Sequence, residues 1–214
     1  MRPDEQMKII RETGIVAIVR GTGIESLLKI AEALSEGGVR VIEVTLNTPG
    51  AIEMIAQLEK EFGDEMLIGA GTVLDPETAR SVILAGAKFV LGPTLNLDVS
   101  KLCKRYNTVY VPGVLTPTEI IKAWEAGAQI VKIFPAGALG SRYIKELRGP
   151  LPQVEMMPVG GVTVDNTAEF IKAGATALGI GGELVDRNAV EEGRFELLTE
   201  KARRFIEAVQ DGRR

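Results

Sequence analysis

A lysine inside an apolar strand is the residue of this chain best suited to covalent chemistry. Lys132 lies in Gln129-Ile130-Val131-Lys132-Ile133-Phe134-Pro135-Ala136-Gly137, a run of branched and apolar residues stopped by Pro135 and Gly137. An ammonium group there is costly unless it is paired or loses its proton. Desolvation lowers a lysine pKa, and a neutral amine is what imine formation with a carbonyl substrate requires. Alternation puts Lys132 on the face of Ile130 and Phe134, opposite Val131 and Ile133. The alternative is a lysine that simply points outward, as most do. A strand covered on both faces leaves no wet side for it.

Glu43 is the second candidate. It shares a strand face with Val39, Val41 and Thr45, where a carboxylate should have a raised pKa and could shuttle protons. It could equally serve as an ion pair that satisfies Lys132 or Arg20. Arg20 ends an apolar run, and its fork suits a carboxylate or a phosphate, or else it is a solvated strand end. Histidine is absent, which removes Ser-His-Asp triads, Cys-His pairs and histidine metal sites together. Acid–base work then falls to carboxylates, lysine, tyrosine or water. Cys103 stands alone on an expected helix, so there is no disulfide framework and no cysteine metal cluster.

The elements that must position these groups alternate along the chain. Strands are expected at 15–20, 39–45, 66–72, 88–91, 109–111, around Lys132, at 154–159 and at 177–181. Helices are expected between them, at 24–35, 49–62, from Asp75-Pro76, at 97–106, from Thr116-Pro117, at 141–147 and 165–173, with a last one over 195–209 after a charged loop. Gly37-Gly38, Gly86, Gly127 and Gly174 each close a helix just before a strand. Eight strand–helix units of this regularity predict one (β/α)8 TIM barrel spanning residues 1–214, of the α/β class. An open doubly wound sheet is the competitor. In a barrel the chemistry collects where strands end. Those positions hold Arg20, Glu43 with Thr45, Thr72, Pro93, Pro112, Lys132 with Phe134, Gly160-Gly161 and Gly181-Gly182. Glycine pairs after the last two strands offer backbone N–H groups to a phosphate, although each alone is also just a tight turn.

The net charge of −4, with Lys and Arg scattered, argues against nucleic acid or an anionic membrane as the partner. Met1 to Lys8 is polar and has no signal-peptide core, and no apolar run approaches bilayer length. A soluble cytoplasmic protein is the expectation.

Several stretches carry a family resemblance in register: Val-Ile-Glu-Val-Thr-Leu around Glu43, Gly69-Ala70-Gly71-Thr72-Val73, the run from Tyr110 to Pro117, Val131-Lys132-Ile133-Phe134-Pro135, and Pro158-Val159-Gly160-Gly161-Val162. The chain resembles the class I 2-keto-3-deoxy-6-phosphogluconate (KDPG) and 4-hydroxy-2-oxoglutarate (KHG) aldolases. The resemblance implies that Lys132 forms an imine with pyruvate or the keto acid. It implies that Glu43 moves protons, that Arg20 and Thr72 hold the pyruvyl carboxylate, and that Pro93 and Phe134 line the pocket. Val159, Gly160, Gly161, Gly181 and Gly182 would border the phosphate end. It further implies a homotrimer, with no metal and no cofactor. Three departures mark this chain: Val159 where phosphogluconate members often have Thr, Gly182 followed by Glu183 where Gly-Ser is common, and Asn47 where some members carry Arg. They bring forward an unphosphorylated keto acid or the phosphogalactonate isomer as substrate. Outside this class stand a phosphosugar isomerase or epimerase on the same barrel, and a non-catalytic scaffold subunit.

Overall fold

Short apolar runs and amphipathic segments alternate through the whole of the computed structural model, which describes residues 1–214. In order the elements are α1 (Pro3–Thr13), β1 (Ile15–Val19), α2 (Ile24–Glu36), β2 (Val41–Thr45), α3 (Ala51–Phe62), β3 (Leu67–Gly71), α4 (Pro76–Leu84), β4 (Phe89–Leu91), α5 (Leu97–Arg105), β5 (Val109–Val111), β6 (Gly113–Val114), α6 (Pro117–Glu125), β7 (Ile130–Ile133), α7 (Gly140–Arg148), β8 (Glu155–Pro158), α8 (Val164–Lys172), β9 (Leu178–Ile180), α9 (Arg187–Glu191) and α10 (Glu196–Arg213). The start signals behave as their chemistry requires. Asp75 caps α4 by accepting from Thr78 N–H, and Thr116 with Glu119 forms a reciprocal capping box on α6.

Three elements depart from expectation. Helix α1 occupies a stretch too polar and too short in apolar residues to announce itself, and it is held by tertiary contacts instead. Its Gln6 is buried and accepts the Val109 N–H at 3.0 Å, while Arg11 grips Glu155 at 2.7 Å. Strand β6 is a separate piece beyond Pro112, and α9 lies inside the expected charged loop. Pro49 falls before α3 rather than within it, because Gly50 takes the N-cap position.

The strands are parallel and form two ladders, one in the order β5-β4-β3-β2-β1-β9 and one in the order β6-β7-β8. The fold is therefore α/β, with a six-stranded parallel sheet curled into a half-barrel and a three-stranded sheet beside it. A single eight-stranded ladder, as expected, is not what forms. One interruption is at Pro112, which has no N–H to give a ladder. The other lies between β8 and β9, which are joined outside the ladders by a bridge of Val159 with Gly179 and by the Thr176 N–H donated to Met156 O.

Period-two alternation sorts the strand side chains into two layers. Ile15, Ala17, Val19, Ile42 and Val44 pack outward against the helices, with Val131 and Ile133 among them. Val16, Val41, Leu67, Phe89, Val109, Ile130 and Met157 pack inward, and Met7 and Ile10 of α1 close the end of that inner layer where the strands begin. The end where the strands finish stays open.

The recurring helix-to-strand loop has one geometry. Gly38, Gly86, Gly127 and Gly174 all take left-handed φ, from 86° to 109°. The residue after each donates back into the helix, as Val39 does to Leu34 and Ala128 to Ala123. A side chain at Gly38 would make only an ordinary contact, 3.7 Å from Ile206 Cγ1. Gly38→Ala therefore isolates the backbone cost, and urea unfolding should show a loss of about 1–2 kcal/mol with an unchanged m-value.

Candidate active site

The inner layer carries the polar groups near its open end. Alternation from Val41 places Glu43 and Thr45 inward on β2, and alternation from Ile130 places Lys132 inward on β7. Register sets Glu43 opposite Ile18 and Gly69, and Lys132 opposite Gly113. Glu43 is 1% exposed and Lys132 is 7% exposed. Glycines make the room. A methyl group at Gly71 would stand 2.7 Å from Glu43 Cδ, and one at Gly69 would run into the Phe89 ring. Larger residues at these two positions would displace the carboxyl group or the aromatic floor beneath it.

Burial pushes the Glu43 carboxyl up to about 7, against the pull of the Lys132 and Arg20 charges. Burial also lowers the Lys132 ammonium; Glu43 opposes that shift and Arg20 adds to it. Neither side chain joins an ion pair within 4.0 Å, and Glu43 Oε2 has no hydrogen-bond partner. The two groups thus share an apolar enclosure without neutralising each other by contact, the condition in which an amine and a carboxyl can exchange protons with a third molecule. The Phe134 ring stands over the amine, 4.9 Å from Nζ to its centroid. Gly160 lies beside that ring, where a Cβ would be 3.5 Å from Phe134 Cε2.

Arg20 is exposed just past β1 and close enough to act on both buried charges. Its turn is held by residues that the sequence did not single out for this role. Thr45 donates to Val19 O at 3.3 Å, and Thr48 accepts the Gly21 N–H at 2.9 Å. Thr72 follows β3 with φ of 60°, a left-handed conformation rare for a β-branched residue and typical of constrained sites. Pro93 lies against Gly113, where any Cβ would strike the Pro93 carbonyl. Val159 is buried and packs toward Gly179. Gly160 and Gly161 both take positive φ, 87° and 72°, and Gly161 presses against Gly137. Gly182 faces open space after Gly181. The amides of Gly161, Gly182 and Glu183 donate to no backbone carbonyl, so each is free to bind an external acceptor. No group of three or more acidic or thiol side chains converges as a metal site.

The family model described as KDPG and KHG aldolase matches residues 7–200. Among curated proteins, a 2-dehydro-3-deoxy-6-phosphogalactonate aldolase from Escherichia coli (strain K12) is 36% identical over 203 residues, covering 92% of this chain and 96% of the relative. Among solved structures, KDPG aldolase from Legionella pneumophila, with pyruvate captured as a covalent carbinolamine intermediate, superposes with a TM-score of 0.86 at 32% identity. That match covers 92% of this chain and 96% of the other. A cube-shaped protein cage designed by fusing symmetric oligomeric domains also superposes, with a TM-score of 0.85 at 34% identity, over 93% of this chain and 73% of that one.

Folded Glu43 holds its proton more tightly than the unfolded chain does, so its burial as a charge becomes costly as pH rises from 4.5 toward 7. Urea titrations across that window should show Glu43→Gln gaining on the wild type as pH increases. The gap should level off above neutrality at up to about 3 kcal/mol. A gap independent of pH would mean that the carboxyl titrates normally.

Proposed function

This chain belongs to the KDPG and KHG aldolase family, and from that premise we propose that it cleaves a 2-keto-3-deoxy-6-phospho sugar acid reversibly to pyruvate and glyceraldehyde 3-phosphate. The observation that carries the reading is the pair of Lys132 and Glu43, both buried on the inner face and neither in an ion pair. A structural charge has no reason to be enclosed unpaired, whereas a nucleophilic amine does.

Lys132 Nζ, as the neutral amine, attacks the C2 ketone to give a carbinolamine, which loses water to form the iminium. Removal of the C4 hydroxyl proton breaks the C3–C4 bond, and its electron pair enters the iminium as an enamine while the aldehyde leaves. Protonation at C3 gives the pyruvyl iminium, and water releases pyruvate and restores the amine. Glu43, with its carboxyl near 7, is able both to accept and to donate the protons of these steps, directly or through water. Phe134 keeps the reacting nitrogen in an apolar setting. Arg20 and Thr72 hold the substrate carboxylate, and Pro93 closes the side of the pocket. Gly160, Gly161, Gly181 and Gly182 offer backbone donors to the distal phosphate.

Val159, buried before the glycine pair, favours the phosphogalactonate isomer as a second reading, and the Escherichia coli relative bears that name. Exposed Glu183 beside Gly182 favours, in the same way, an unphosphorylated keto acid substrate such as 4-hydroxy-2-oxoglutarate. The two ladders form, in this reading, one (β/α)8 barrel. The Val159–Gly179 bridge and the Thr176 N–H donated to Met156 O at 2.9 Å support its closure on one side. Lys132 N–H, donated to Pro112 O at 2.9 Å, supports it on the other. No helix is long and apolar enough to cross a membrane, and the cytoplasm is the compartment proposed. A homotrimer is the proposed assembly. Leu74, 56% exposed, lines one surface depression with Ile52, 38% exposed, an apolar patch for a second copy to cover.

Incubation with pyruvate and borohydride, followed by mass spectrometry, should give one pyruvyl adduct mapped to Lys132 and none in Lys132→Ala. An unmodified wild-type chain would reject the imine mechanism. For the assembly, light scattering after size exclusion should give three times the 23.0 kDa chain mass, and Leu74→Glu should lower it. A monomeric wild type would reject the trimer.

A further inference from the structure

We propose that Asn96 and Tyr110 form a positioning clamp that fixes Thr72 and Pro93, on two different loops, in the geometry the substrate needs. The proposal rests on the reading above that Thr72 holds the substrate carboxylate and Pro93 lines the pocket.

A β-branched residue at φ of 60° persists only where its surroundings over-determine it. The segment after Thr72 is pinned at two points. Val73 N–H donates to Leu91 O at 3.0 Å, and Leu74 O accepts from Asn96 Nδ2 at 2.9 Å. The second bond joins the loop after β3 to the loop after β4.

The same Asn96 caps α5. Its Oδ1 accepts the Asp98 and Val99 N–H groups at 2.9 and 3.1 Å. Donors on one side and a carbonyl on the other allow only one orientation of the amide. Asn96 N–H donates in turn to Tyr110 Oη at 3.3 Å, and the Tyr110 hydroxyl donates to Thr94 O at 3.1 Å. Thr94 directly follows Pro93, so the phenol braces the Pro93 turn from the outer face of β5. Burial pushes that phenol up to about 12, which keeps its proton in place for the bond to Thr94. Gly92 makes the approach possible, since a Cβ there would lie 2.9 Å from Tyr110 Oη.

Capping α5 needs only an oxygen at position 96. The Nδ2 donor aimed at Leu74 is surplus to that task, and it is the part that reaches the strained loop. Asn96→Asp separates the two roles: it keeps the capping oxygen and sets a second oxygen against the Leu74 carbonyl. Exchange of the pyruvate methyl protons in deuterated water, followed by NMR on the whole enzyme, reports enamine formation without an aldehyde partner.

The clamp predicts that KM for pyruvate rises roughly 3- to 10-fold in Asn96→Asp, with kcat within about twofold and Tm within about 2 °C. Asn96→Ala should show the same rise in KM together with a lower Tm, because the cap is lost as well. Tyr110→Phe, which keeps the ring, should also raise KM and carries the test should the Asp variant fold poorly. Thr72→Ala is the control for the underlying reading. If it leaves KM unchanged, the role of Thr72 falls and the clamp falls with it. If Thr72→Ala raises KM while Asn96→Asp and Tyr110→Phe keep the wild-type value, the clamp alone is overturned.

Discussion

A carboxyl group and an amine enclosed in the same apolar layer, without touching, is the constraint on which the rest of this molecule depends. Two such groups in water would both be charged at neutral pH. Two in contact would form a tight pair, with both pKa values driven apart and neither group free to react. Here burial outweighs the attraction, so Glu43 titrates near 7 and the Lys132 ammonium is destabilised. The curled parallel sheet maintains that balance. Gly69 and Gly71 leave the volume that Glu43 and the Phe89 ring fill, and the inward set of Leu67, Val109, Ile130 and Met157 keeps water away from below.

Closing one end of the inner layer and opening the other gives the chemistry its direction. Helix α1 inserts Met7 and Ile10 where the strands begin, and Gln6 saturates a strand-end amide at Val109. Nothing comparable covers the strand ends, where Arg20, Thr72, Pro93 and the glycine pairs gather. Lys132 and Glu43 thus sit at the boundary between a dry interior and a polar rim, which in the proposed reading a keto acid crosses before it meets the amine. The rim is not soft. Thr45 and Thr48 hold the Arg20 turn, and the Asn96 and Tyr110 bonds brace the two neighbouring loops. A strained Thr72 among such braces fits a site whose binding geometry is set before the substrate arrives.

Chemistry and substrate choice live on different parts of the chain. Lys132 and Glu43 are strand residues, placed by alternation and register, and in the proposed reading they carry the reaction. Val159, Gly160, Gly161, Gly182 and Glu183 lie at strand ends and in loops, where the proposed reading puts the choice of distal group. On that reading, one family model can match a chain that resembles aldolases named for different sugar acids.

The sequence by itself determined the alternating order of strands and helices, the four glycine-closed helix ends, and the face on which Lys132 and Glu43 point. Each of these depends on local periodicity or on one residue's backbone freedom, and both are written in neighbouring positions. It did not reveal α1, whose stretch is mostly polar, or β6 and α9, which at two and five residues are too short to establish a pattern. Nor could it supply the break of the ladder at Pro112, the left-handed Thr72, or the reach of Asn96 across 22 positions to Leu74. The pKa of Glu43 belongs to the same class, since desolvation is a property of everything packed around a group. Those features are decided only when distant segments meet, and tertiary structure alone says which ones do.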